Sequence, residues 1–91
     1  MYDPEKVERI IRKIRSRTLQ RLLIIYDRLQ TIHALLPEEF GGWGIEYDDD
    51  RPTTKSLKKL MEKLGWKGVS DRTVRDYAYA IEALSLINSK M

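Results

Sequence analysis

The chain has 91 residues, which suits one small domain. It contains no cysteine, so disulfide bonds and thiolate metal sites are excluded. The first ten residues lack the apolar stretch of a signal peptide, and no apolar run is long enough to span a membrane, so we expect an intracellular, cytoplasmic protein. Many Lys, Arg and Glu beside few amide side chains follow a trend of thermophile proteins.

The net charge of +3 is unevenly distributed along the chain. Residues 1–36 hold eight Lys or Arg and four Asp or Glu, residues 37–52 hold one Arg and six acids, and residues 53–91 again hold eight bases and four acids. Two basic segments therefore flank an acidic one. The basic segments suit an anionic partner, and we expect the acidic segment to lie elsewhere on the surface because it would repel that partner.

Residues 1–36 predict a long basic amphipathic helix, or two helices with a break. Asp3 is a good N-cap, and Pro4 suits the first helical position. Apolar or near-apolar residues then recur at steps of three or four, close to a heptad: Val7, Ile11, Ile14, Thr18, Leu22, Ile25, Leu29, Ile32 and Leu36. A continuous helix would be about 50 Å long, at ~1.5 Å per residue, and we expect it to pack on a second copy. The break, if present, is expected at residues 15–18, where apolar residues are sparsest.

Residues 37–52 predict a loop, because three glycines within four positions disfavour helix and strand. Four apolar side chains in this segment are expected to fold back on the core: Phe40, Trp43, Ile45 and Tyr47. Its acids lack the spacing of a calcium loop, so we expect no metal site. Trp43 and Trp66 are expected to anchor the core or the loop rather than to stack on bases.

Residues 53–91 predict two helices joined by a short turn. The first begins near Thr53 or Thr54 and ends at Gly65, and its expected buried face holds Leu57, Leu60, Met61 and Leu64. Ser70 caps the second helix, whose expected buried face holds Val74, Tyr77 or Ala78, Ile81, and Leu84 or Ser85. This phase leaves five residues facing outward: Asp71, Arg72, Arg75, Asp76 and Tyr79.

The stretch SLKKLMEKLGWKGVSDRTVRDYAYAIEALSLI resembles the helix-turn-helix of the winged-helix superfamily of DNA-binding proteins. The matching positions are Leu57, Leu60, Leu64, Gly65, Val69, Ser70, Arg72, Thr73, Val74, Tyr77, Ile81, Leu84, Leu86 and Ile87. The resemblance implies that the second helix enters the major groove of DNA, where Arg72, Arg75 and Tyr79 contact base edges. It also implies phosphate contacts by Lys58, Lys59 and Lys67.

Two departures from the family pattern modify the expected fold. Ser85 stands where family members usually have glycine, and the chain ends four residues after Ile87, which leaves no room for a β-hairpin wing. We therefore expect an all-α fold, with a long N-terminal helix followed by a helix-turn-helix, as a reduced winged-helix-like domain.

The second helix of this unit has few bases for a DNA-binding helix. Residues 70–87 hold two Arg and three acids, a net charge of −1, whereas DNA binding depends on neutralising phosphates. We therefore expect the N-terminal bases to contribute: Arg9, Arg12, Lys13, Arg15, Arg17 and Arg21. Arg9, Lys13 and Arg17 would share one helix face at i+4 steps. An acidic protein surface and a solvated helix face are the alternatives for this cluster.

The sequence favours a double-stranded DNA-binding protein, a small transcriptional regulator that acts as a homodimer and needs no cofactor. The alternative is an accessory subunit of a DNA replication (polymerase) or transcription complex, whose helix-turn-helix docks on protein. No pattern of nucleophile, base and acid indicates catalysis, so we do not expect an enzyme.

Overall fold

A computed structural model describes residues 3–29 and 44–88 of the protein. These residues form four helices and one pair of strands: α1 (Pro4–Lys13), α2 (Arg17–Leu29), β1 (Tyr47–Asp48), β2 (Arg51–Pro52), α3 (Thr54–Lys63) and α4 (Asp71–Asn88). The protein is mostly helical, as predicted, but the strand pair makes an all-α class only approximate. The predicted helix over residues 30–36 and the loop glycines at 41 and 42 lie outside the described residues.

The N-terminal segment forms two helices rather than one. The Asp3 carboxylate caps α1 by accepting hydrogen bonds from the backbone N–H groups of Glu5 at 3.0 Å and Lys6 at 3.4 Å. The helix ends at Lys13, and α2 begins at Arg17, so residues 14–16 interrupt it near the expected position. Residues 4–29 are therefore not one continuous helix, and helix length gives no reason to expect a second copy.

The interruption changes the phase of the apolar stripe. Ile14, Leu19 and Leu23 are buried, whereas Thr18, which the heptad pattern placed on the buried face, is exposed. The side-chain amide of Gln20 donates hydrogen bonds to the backbone carbonyls of Ile14 and Ile11. The Ile11 carbonyl also accepts the backbone N–H of Ile14 at 3.0 Å, so Gln20 adds a side-chain donor to the carbonyl groups at the end of α1.

Local signals define the ends of α3 and the start of α4. The Thr53 hydroxyl accepts the N–H of Ser56 at 3.3 Å, and the Ser70 hydroxyl accepts the N–H of Thr73 at 3.2 Å. Gly65 has a φ of +90°, and the N–H of Trp66 donates to the carbonyl of Met61 at 2.9 Å. This is a Schellman C-terminus, in which glycine adopts the left-handed conformation without strain. The predicted caps are therefore confirmed.

The core consists of two apolar clusters on either side of α4. One joins α4 to α1 and α2 through Val7, Ile10, Ile14, Leu19, Leu23, Ala80, Ala83, Leu84 and Ile87. The other joins α4 to α3 through Leu57, Leu60, Met61, Val74, Ala78 and Ile81. Because both clusters use α4, this helix positions every other described element of the protein.

Leu64 is an exception to the predicted buried face of α3. It is 42% exposed, although the i, i+3, i+4, i+7 pattern places it beside Leu57 and Leu60. The helix ends at Lys63, and Leu64 is the C-cap, where the chain turns toward Gly65. The prediction for Leu64 is wrong because the helical phase stops one residue before it.

The two strands form a short antiparallel hairpin, with Tyr47 opposite Pro52 and Asp48 opposite Arg51. Its turn is made by Asp49 and Asp50, and Asp49 has a φ of +56°, a conformation that Asp tolerates better than most residues. Pro52 is fully buried, and Ile45 packs partly against the cluster between α3 and α4. Tyr47 is 39% exposed, so its predicted burial on the core is wrong, and the predicted folding back of Phe40 and Trp43 lies outside the described residues.

Candidate nucleic-acid interface

The exposed face of α4 carries less negative charge than its sequence indicates. Arg72 and Arg75 are exposed, as expected from the helical phase. Asp76, predicted to face outward, is only 4% exposed. Its carboxylate accepts the backbone N–H groups of Ser16 at 3.1 Å and Arg15 at 3.3 Å. The outward placement of Asp76 is therefore wrong: its charge points into the protein, at the start of α2, where unsatisfied N–H groups favour an anion.

The second acid near the start of α4 is paired. The Asp71 carboxylate accepts a hydrogen bond from the Lys58 ammonium of α3 at 2.9 Å. This hydrogen bond, and the attraction between the two charges, lower the pKa of Asp71 and raise the pKa of Lys58. Asp71 is therefore neutralised by a neighbour, and Lys58, predicted to bind phosphate, is already engaged with a carboxylate.

Tyr79 does not stand free on the exposed face. It is half-buried and packs against the cluster formed with α1 and α2. The Lys13 ammonium lies 5.6 Å from the centre of its ring, and the Arg51 guanidinium lies 5.3 Å from it. Both distances suit cation–π attraction. Tyr79 therefore joins α1, the hairpin and α4, which argues against its predicted contact with base edges.

The acidic hairpin lies beside the predicted interface, which corrects its expected placement elsewhere on the surface. A cleft of ≈ 290 Å³ separates the hairpin from α4. Its lining residues are Asp48, Arg51, Pro52, Thr53, Thr54, Arg75, Ala78 and Tyr79. Arg51, which the sequence shows only as one base in an acidic segment, thus lies with Arg75 at one cleft.

Glu82 lies farther along α4, close to the positive charges of Arg51, Lys13 and Lys6. Burial raises the pKa of its carboxyl, whereas the positive charges of Arg51, Lys13 and Lys6 act in the opposite direction. The carboxyl group is half-buried, so its charge is partly shielded from the exposed face. Of the three acids counted between residues 70 and 87, one is buried, one is paired and one is half-buried.

The remaining predicted phosphate contacts on α3 and the turn are exposed. Lys59 lines a second, smaller cleft of ≈ 190 Å³ with Lys55, Lys63 and Glu46. Lys67 lies in the seven-residue connection between α3 and α4, which spans residues 64–70. Trp66 precedes Lys67 and is 46% exposed, with its ring centre 6.1 Å from that of Tyr77. It is therefore not a core anchor, whereas its contact with Tyr77 fits the predicted loop anchor, and the same prediction for Trp43 lies outside the described residues.

The N-terminal bases do not form the single face that the sequence predicted. Arg9, Lys13 and Arg17 are all exposed, but the interruption at residues 14–16 places Arg17 on a different helix. Arg12 forms an ion pair with Glu8 at 2.7 Å. Two of the predicted N-terminal bases contact α4: Lys13 through the ring of Tyr79, and Arg15 through its backbone N–H to Asp76.

Comparison of the chain with protein-family models, with curated proteins and with solved structures gives no match. Within residues 3–29 and 44–88, no group of three or more acids or histidines is arranged to hold a metal ion. No helix in the same ranges is long and apolar enough to cross a membrane.

Proposed function

We propose that the protein binds double-stranded DNA through α3, the turn and the exposed face of α4, as a small transcriptional regulator of the helix-turn-helix type. The observation that supports this function is the inward position of Asp76. With Asp76 buried and Asp71 paired to Lys58, the free charges near the start of α4 are those of Arg72 and Arg75. The net charge of −1 over residues 70–87 therefore weighs less against DNA binding by α4.

Each base has a distinct proposed role. Arg72 and Arg75 contact base edges, for which the guanidinium group is suited because it donates two parallel hydrogen bonds to guanine. Lys59 and Lys67 contact phosphates and fix the orientation of the helix on the duplex. The exposed bases of α1 and α2 supply further electrostatic attraction, without a share in sequence preference.

The test is binding of the free protein to mixed duplex DNA, measured by fluorescence anisotropy at two salt concentrations. We expect affinity to fall steeply with salt, by a logarithmic slope of about −0.9 for each phosphate contact. The double variant Arg72→Glu, Arg75→Glu should abolish sequence preference. The double variant Arg9→Glu, Arg12→Glu makes the same charge change on α1 and should weaken binding to all sequences alike. Sequence preference that survives in the α4 variant contradicts the proposed role of α4.

A second candidate function is that of an accessory subunit in a replication or transcription complex. The observation that favours it is the exposure of Leu64 and Trp66, on either side of Gly65 just after the end of α3. Exposed tryptophan is common at the centre of protein interfaces. The test is stoichiometric capture of a polymerase from native extract. Capture that is lost in the double variant Leu64→Ser, Trp66→Ser supports this function instead. The same capture should be retained in the double variant Arg72→Glu, Arg75→Glu.

A further inference from the structure

Arg51 and Arg75 line the cleft between the hairpin and α4, and hydrogen bonds hold the hairpin in a fixed position. Two hydrogen bonds join Glu46, the residue before the hairpin, to the start of α3. The N–H of Thr53 donates to the carbonyl of Glu46 at 2.8 Å, and the N–H of Glu46 donates to the Ser56 hydroxyl at 3.1 Å. Pro52, the neighbour of Arg51 in β2, is buried. The position of Arg51 relative to α4 is therefore determined before any ligand binds, which lowers the entropic cost of binding.

Both arginines have N–H donors available for an anion. Arg75 is exposed and forms no ion pair with the described residues. Two carboxylates lie near Arg51: that of Asp48, at 4.0 Å, is mostly exposed, and that of Glu82 is half-buried and close enough for the Arg51 charge to act on its pKa. The guanidinium of Arg51 is held at the cleft by the ring of Tyr79, a contact that does not require an acceptor for its N–H groups.

We propose that Arg51 binds one backbone phosphate of duplex DNA at this cleft, beside Arg75, and that the Asp48 carboxylate limits the affinity. The proposal rests on the proposed function, because it places the phosphate beside the α4 face that contacts the bases. Guanidinium groups suit phosphate because their planar N–H donors match two phosphate oxygens at once. Asp48 opposes the phosphate by like-charge repulsion, since it lines the same cleft.

The experiment compares three variants for binding to one duplex over a range of salt concentrations. Arg51→Gln removes a cation from the cleft, and we expect the salt slope to fall by about 0.9, the value for one phosphate contact. Lys6→Gln makes the same charge change at an exposed position in the first turn of α1, which supplies only diffuse attraction, and should lower the slope clearly less than Arg51→Gln does. Asp48→Asn removes the opposing charge and should tighten binding at low salt by about threefold, as expected for ~0.6 kcal/mol at a partly solvated site.

The outcomes separate this inference from the function on which it rests. Wild-type protein that fails to bind the duplex at low salt overturns both. Wild-type protein that binds, with Arg51→Gln matching Lys6→Gln in salt slope, overturns the cleft alone and leaves the α4 interface intact. A gain of affinity in Asp48→Asn supports the cleft when Arg51→Gln also lowers the salt slope more than Lys6→Gln does, and misfolding does not explain such a gain because a poorly folded variant would lose affinity. Unchanged or weaker binding by folded Asp48→Asn contradicts the role given to this carboxylate.

Discussion

The carboxylate of Asp76 in α4 accepts a hydrogen bond from the backbone N–H of Ser16 at 3.1 Å, across 60 residues of sequence. A second bond, from the N–H of Arg15, completes a cap on the start of α2. One side chain thereby fixes the interruption between α1 and α2 and removes an acid from the exposed face of α4. The packing of the N-terminal helices and the charge of the candidate interface are consequently linked through one residue.

Substitution of Asp76 should destabilise the protein. In Asp76→Asn the two N–H groups lose a charged acceptor, and the amide can offer only one oxygen to them. We expect the free energy of unfolding to fall by about 1.5–3 kcal/mol, the range for hydrogen bonds to a charged group. Urea denaturation followed by circular dichroism measures this change.

The control for Asp76→Asn is Glu8→Gln, which removes an exposed carboxylate from the ion pair with Arg12. Surface pairs of this kind contribute about 0–1 kcal/mol, so the control should remain close to the wild type. Equal stability of Asp76→Asn and Glu8→Gln is incompatible with a capping role for Asp76.

The ion pair of Lys58 with Asp71 should make stability depend on pH in two ranges. The folded-state pKa of Asp71 is lowered, mainly by the hydrogen bond from Lys58, so its stabilising contribution is present above the unfolded pKa of about 3.9 and is lost as pH falls through the folded value. The folded-state pKa of Lys58 is raised, so its contribution is present below about 10.4 and is lost as pH rises through the folded value.

The variant Lys58→Met tests this coupling. We expect the pKa of Asp71, measured by NMR titration, to move up toward its ordinary value, because the hydrogen bond and the nearby positive charge are both removed. The stability difference between wild type and variant should narrow as the solution is acidified. An Asp71 pKa that is the same in both proteins means that the pair does not persist in solution.

Tyr79 should act through its ring and not through its hydroxyl. Tyr79→Phe keeps the packing and both cation–π contacts, and we expect little change in stability or in DNA affinity. Tyr79→Ala removes the ring and should lower the free energy of unfolding by about 2 kcal/mol. Thermal denaturation and anisotropy distinguish the two. Normal stability with lost sequence preference in Tyr79→Phe would restore the role in base contact that the sequence predicted.

The helices, their caps and most of the core on α3 and α4 could be predicted because their signals are local. Asp3, Ser70 and Gly65 act on residues within one turn of themselves, and Val74 and Ile81 follow helical periodicity. The position of Asp76 could not be predicted in this way. It lies four residues from Arg72, which indicates a shared face, and its partners are at the other end of the chain.

The hairpin and its arginine were missed for a related reason. A turn made by two aspartates lacks the Asn-Gly or Asp-Gly pair that predicts a two-residue hairpin. The strands are two residues each, too short for an alternating pattern to be recognised. Arg51 was therefore counted only as one base among acids, although its packing on Tyr79 places it beside Arg75.

The central claim is that the α4 face, with Arg72 and Arg75, contacts duplex DNA. Backbone amide shifts in ¹H–¹⁵N NMR spectra, recorded during titration with a duplex, test it residue by residue. We predict the largest shift changes at residues 71–75 and at the turn around Lys67, with smaller changes at the hairpin near Arg51. Changes confined to α1 and α2, or the absence of changes at saturating duplex, would contradict the claim.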